Sequence, residues 1–99
     1  MVKHIVLFKL KDEISESDKQ VIMNKFKEAI ENLPSKIDVI RKIEVGFNAN
    51  PEECWHMALY SEFDNLEDVK TYATHPDHVA AGKIIADARD SRACVDYFI

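Results

Sequence analysis

Residues 37–63 read IDVIRKIEVGFNANPEECWHMALYSEF, and their pattern decides the fold. Along 37–47, Val39, Ile43, Val45 and Phe47 share one parity with Arg41, while Asp38, Ile40, Lys42 and Glu44 share the other. Along 54–63, Trp55, Met57, Leu59 and Phe63 take one side and His56, Ala58, Tyr60 and Glu62 the other. A period of two is the signature of extended chain, because successive side chains of a strand point to opposite faces. Gly46 and the run Asn48-Ala49-Asn50-Pro51-Glu52 supply turn residues between the two stretches. Two strands joined in this way predict a hairpin.

The flanks of the hairpin have a different period. Upstream, Val21, Ile22, Lys25, Phe26, Ala29, Ile30 and Leu33 recur at helical spacing, with Lys25 the one interruption. Ser15 or Ser17 is the expected N-cap, with Ser17 and Gln20 at capping-box spacing, and Pro34 is expected to end the helix. Downstream, Asp64 and Glu67 have the same capping-box spacing, and Leu66, Val69, Tyr72 and Ala73 follow. His75-Pro76 interrupts this second helix. Pro76 suits the first position of a renewed helix, where no N–H is needed, and the pattern then runs on to about residue 89. At the ends of the chain, VKHIVLFKL (Val2–Leu10) is apolar on both faces and residues 92–99 form a last strand.

The order β-α-β-β-α-β predicts an α+β, ferredoxin-like fold with a four-stranded antiparallel sheet in the order 4-1-3-2. Both helices then cover one face. The other carries Ile5, Leu7, Ile40, Ala58 and Tyr60, too apolar to stay wet. A second copy packed sheet against sheet solves this, so a two-fold homodimer, a dimeric α/β barrel, is expected.

The chain has 99 residues, 46% hydrophobic and 31% charged, which predicts a single globular domain over residues 1–99. Residues 1–50 carry 9 basic and 8 acidic side chains, residues 51–99 carry 4 and 10. No basic stripe survives that count, so neither nucleic acid nor an anionic membrane is an expected partner. Two isolated glycines cannot build a phosphate loop, and no GxSxG, HExxH or CxxC is present. Val2–Leu10 is too short and too charged for a signal core, so a cytoplasmic protein with reduced thiols is expected. Cys54 and Cys94 fall on strands separated by the first strand, which argues against a bridge between them.

The stretches VKHIVLFKLKDEIS, YATHPDHV and VDY together resemble the stress-responsive A/B barrel family over residues 2 to about 98. The resemblance implies the dimeric α/β barrel. Some plant members are polyketide cyclases that close a ring by aldol condensation without metal or cofactor. By that resemblance His78 is the general acid/base, Tyr72 its assisting hydroxyl, and His4 a pocket group. A histidine that the cyclases carry on the third strand falls near Met57 here, with His56 one place off. On the first helix this chain has Val21, Ile22, Met23 and Phe26 where the cyclases are richer in aromatics.

From the residues alone, Tyr72 and His78 are six apart and would lie on roughly opposite sides of an unbroken helix. A break at His75-Pro76 folds them toward one pocket. Histidine near neutral pKa suits proton abstraction beside a carbonyl, and a tyrosine hydroxyl steadies the enolate. The plainer alternative makes His75 a helix cap and has His78 hydrogen-bond a strand carbonyl. His75 and His78 also have a spacing that a metal could use, but sequence places no third ligand, and no metal or cofactor is expected. The expected pocket lining is His4, Val6, Phe8, Phe26, Met57, Leu59 and His75. The expected function is binding, with isomerisation or cyclisation, of a small hydrophobic carbonyl or phenolic compound. Two alternatives stay open: a non-catalytic stress-response or structural dimer, and a cofactor-independent monooxygenase-like enzyme.

Overall fold

The structure, a computed structural model, describes residues 1–99. The chain runs β1 (Val2–Leu10), α1 (Glu16–Glu31), β2 (Lys42–Phe47), β3 (Met57–Phe63), α2 (Leu66–Thr74), α3 (Pro76–Ala86) and β4 (Arg89–Phe98). The sheet is antiparallel throughout, in the order β2-β3-β1-β4. This is the ferredoxin-like arrangement expected from the sequence. β1 is central, and its even-numbered residues from Val2 to Leu10 are buried against the helices. Its odd-numbered residues face the open side.

The core is a layer between that sheet face and the helices. Val6, Phe8, Leu10, Val45, Met57, Leu59 and Phe63 come from the sheet; Met23, Phe26, Ile30, Val69, Tyr72 and Ile85 come from the helices. Phe8 and Phe26 meet edge to face with ring centroids 5.3 Å apart, a favoured aromatic geometry. α1 is tied to edge strand β2 by two side chains. Lys27 donates to the Val45 carbonyl at 2.5 Å and to Glu31 at 2.6 Å, and Glu31 accepts the Val45 amide at 3.1 Å.

Several boundaries differ from the expected ones, each for a local reason. Ser15, not Ser17, caps α1 by accepting the Asp18 amide. Asn65, not Asp64, caps α2 by accepting the Asp68 amide at 2.8 Å, because Asp64 is held by the Arg41 guanidinium at 2.8 and 3.1 Å. β2 begins at Lys42 rather than at residue 37. A short 3₁₀ turn, Leu33–Ser35, feeds Ile37 and Ile40 into the core instead. Ile40 therefore does not belong to the open sheet face. β3 begins at Met57 rather than residue 54, leaving Cys54 and Trp55 in the connection. The chain leaves α3 at Ala86 and pairs as β4 from Arg89 rather than from residue 92.

The open face carries Ile5, Leu7, Ala58, Tyr60, Ala93 and Val95, which the strand register brings side by side. Lys3 and Lys42 flank it, their ammonium groups 5.4 and 5.6 Å from the Tyr60 ring. Val95 and Tyr97 are about half exposed. Cys54 and Cys94 are both free and exposed. No helix is long and apolar enough to cross a membrane.

Candidate functional site

On the helix side of the sheet, a cavity of about 130 Å³ opens between β1, β4 and the helices. Its walls combine His4, Val6, Phe8, Phe26 and Leu59 with Tyr72, Ala73, His78, Arg89 and Arg92. The helix break at His75 makes this possible. His75 is extended (φ −64°, ψ 136°), Pro76 begins α3, and the His75 ring nitrogen accepts the Asp77 amide as the N-cap. The chain turns there, and the rings of Tyr72 and His78 come to 4.3 Å between centroids.

His78 has a defined hydrogen-bond state. Its Nδ1–H donates to the Ala73 carbonyl at 2.9 Å, near the C-terminal end of α2. The expected partner was a strand carbonyl; the helix break brings a helix carbonyl instead. With the proton on Nδ1, the neutral ring keeps Nε2 free as a base. Burial lowers the His78 pKa below the ordinary histidine value, so the neutral form dominates near pH 7.

Tyr72 is 1% exposed, and its hydroxyl is the one buried side-chain polar atom in the chain with no hydrogen-bond partner. Burial also pushes its pKa well above the ordinary tyrosine value, so it stays a protonated donor. An unpaired buried hydroxyl costs free energy that a ligand oxygen or a water would return.

His4 sits on β1 directly opposite Asp96 of β4. Its Nδ1 is hydrogen-bonded to the Asp96 carboxylate, and its ring lies 6.1 Å from the Tyr72 ring. Cys94 Sγ is 3.7 Å from the same nitrogen, and partial shielding of this otherwise exposed residue's thiol, with the Asp96 charge, raises its pKa. His4, Cys94 and Asp96 bring three potential metal-ligating atoms within 4.8 Å of one another. His75 and His78 do not form such a group; each ring is committed to backbone.

Of the residues expected at the pocket from sequence, His4, Val6, Phe8, Phe26, Leu59, Tyr72 and His78 line the cavity. Two do not. Met57 is buried at the end of β3 and borders a separate hollow of about 220 Å³ beside Leu7, Gly46 and Trp55. That hollow has no titratable side chain in its wall. His75 is occupied as a cap. Sequence reasoning missed Asp96, Arg89 and Arg92. Strand alternation places Asp96 and Arg92 on one face of the last strand, which was a usable signal. It places Arg89 on the other face, so no period in the sequence pairs the two arginines.

A small antiparallel sheet, helices on one face and a cavity of histidine and tyrosine between them define the class. The chain belongs to the stress responsive A/B barrel domain family, whose model matches residues 2–99. It is similar to a dimeric ferredoxin-like protein of unknown function from Bacteroides fragilis. The two are 70% identical, with TM-score 0.98 over 99% of this chain and 95% of that one. It is also similar to the olivetolic acid cyclase of Cannabis sativa, 28% identical over 96 residues covering 97% of this chain and 94% of the cyclase. A hydroxynitrile lyase from Passiflora edulis shares the fold, with TM-score 0.74 at 19% identity over 99% of this chain and 92% of the lyase.

Proposed function

We propose that the chain is a homodimer that binds a small carbonyl or phenolic compound in the His4–Tyr72–His78 cavity and converts it by cofactor-free acid–base chemistry. The observation that carries this reading is the Tyr72 hydroxyl, buried, protonated and without a partner beside a histidine whose Nε2 is free. The likeness to a cyclase over nearly the whole chain supports the same chemistry. The dimer is supported by the apolar open face and by a 70% identical relative that is dimeric.

In the proposed reaction, His78 Nε2 takes a proton from the carbon beside a carbonyl. The C–H electron pair becomes the enolate π bond, and the enolate oxygen accepts a hydrogen bond from the Tyr72 hydroxyl. In a cyclisation the enolate carbon then attacks a second carbonyl of the same molecule. A C–C bond forms, the carbonyl π pair becomes an alkoxide, and the His78 imidazolium returns its proton to that oxygen. His4, held by Asp96, orients the ligand.

The first half of this sequence is testable without knowing the natural substrate. Deuterium exchange beside the carbonyl of small aryl ketones in D₂O, followed by NMR, reads the proton abstraction directly. Wild type is expected to accelerate exchange, and His78→Ala to lose roughly 100-fold or more of that acceleration. Tyr72→Phe is expected to lose a smaller share. Exchange at the solvent rate across such a panel would leave a non-catalytic dimer as the better reading, and acceleration undiminished in His78→Ala would mean that another group is the base.

A further inference from the structure

We infer that the ligand of this cavity is an organic anion, a small carboxylate whose charged end is held by Arg89 and Arg92 while its carbonyl or phenolic end meets Tyr72 and His78. This rests on the cavity reading above and adds the substrate class.

The first support is a backbone irregularity. In the β1–β4 ladder, Phe8 pairs with Arg92 and Leu10 pairs with Arg89, with a register shift between Lys9 and Leu10. Phe8 and Leu10 both face the helices, so both arginines do as well. Residues three apart on a regular strand point to opposite faces. The extra residue of the bulge is what turns Arg89 to the cavity side. Bulges recur beside functional sites for this reason, because they re-aim a side chain.

The second support is charge. Residues 51–99 hold four basic side chains against ten acidic ones, yet two of the four line this one cavity. Neither arginine forms an ion pair within the chain, whereas Arg41 is held by Asp64. Asp96, on the same face of β4, is engaged by His4 instead. Arg92 is close enough for its charge to act on Tyr72, His78 and Cys94. A guanidinium offers a planar fork of donors that matches a carboxylate, and it is the preferred residue for that recognition.

The third support is size. The cavity is close to the ~150 Å³ of an engineered protein cavity that holds benzene. A single ring or a chain of similar bulk fits, with the apolar side chains of Val6, Phe8, Phe26 and Leu59 in the same wall as the polar groups. Arg89 and Arg92 are both exposed, so a charged group that they hold stays within reach of water.

The test compares para-hydroxybenzoate with para-hydroxybenzamide, which match in size and phenol and differ in charge. Titration calorimetry at low salt would be run on wild type, on Arg89→Gln/Arg92→Gln and on Tyr72→Phe. Wild type is expected to bind the acid roughly tenfold or more tightly than the amide, with added salt narrowing the gap. The double glutamine variant is expected to bring the two within a few-fold, and Tyr72→Phe to weaken both while keeping their ratio. Amide binding as tight as acid binding in wild type overturns the proposal and leaves the cavity reading standing. So does an acid preference that survives in the double variant, which would make the arginines guards of an exposed edge strand only. Failure of wild type to bind either compound at millimolar concentration also overturns it, and ketone exchange then decides the cavity reading separately.

Discussion

His56 and His78 show how one residue type takes different tasks from its surroundings. His56 lies in the connection before β3, where its Nδ1 accepts the Leu10 amide at 2.9 Å. Burial, with a further push from the Lys19 ammonium, lowers its pKa below 6.5. An imidazolium carries a proton on Nδ1 and cannot accept that amide. The unfolded chain therefore binds a proton at this position more readily than the folded one. The stability it contributes is present above pH 6.5 and is lost as pH falls through the lower folded value. Urea melts over a pH series are expected to show this as a falling slope on the acid side, and His56→Gln is expected to flatten it. For His78 the consequence is kinetic. Its pKa is lowered by burial, so ketone exchange is expected to stay level near neutral pH. It should fall only at pH values below the ordinary histidine range. A decline beginning above pH 7 would mean that another group is the base.

At the scale of elements, the break between α2 and α3 and the bulge between β1 and β4 together build the cavity. Each moves one group: the break brings His78 over Tyr72, and the bulge turns Arg89 inward. α2 is a nine-residue helix, too short to be stable without its cap and its packing. Asn65→Ala removes the side chain that accepts the Asp68 amide and is expected to lower stability by about 1 kcal/mol. The same change should loosen Tyr72, which α2 carries. Hydrogen exchange along residues 66–74 would read that local effect apart from the global one.

For the whole molecule, the uncovered sheet face is the dominant feature. Leu7 lies at its centre, beside Ala58 of β3 and Ala93 of β4. A charge there would have to be buried unpaired in a sheet-on-sheet dimer, at a cost of several kcal/mol. Leu7→Glu is expected to convert a dimer to a monomer in light scattering at micromolar concentration. A retained dimer would mean that another surface joins the copies. Lys3, at the margin of the patch, is expected to tolerate replacement by Gln with little change in association.

The sequence by itself determined the order of elements, the sheet topology and the helix break. These rest on local physics: a period of two against one of 3.6, turn residues at 46–52, and a proline that can start a helix but not continue one. The meeting of His4, Tyr72 and His78 came from the family resemblance together with that break. Tertiary structure decided the rest. Ile37 and Ile40 fall in a stretch that reads as strand, yet they are core anchors in a loop, because burial outweighs local preference. Asp64 has the spacing of a cap, but the Arg41 guanidinium takes its carboxylate and leaves the cap to Asn65. The bulge that puts Arg89 and Arg92 on one face exists only in the pairing of two distant strands. No local pattern encodes a register shift, because it is a relation between two segments and not a property of either.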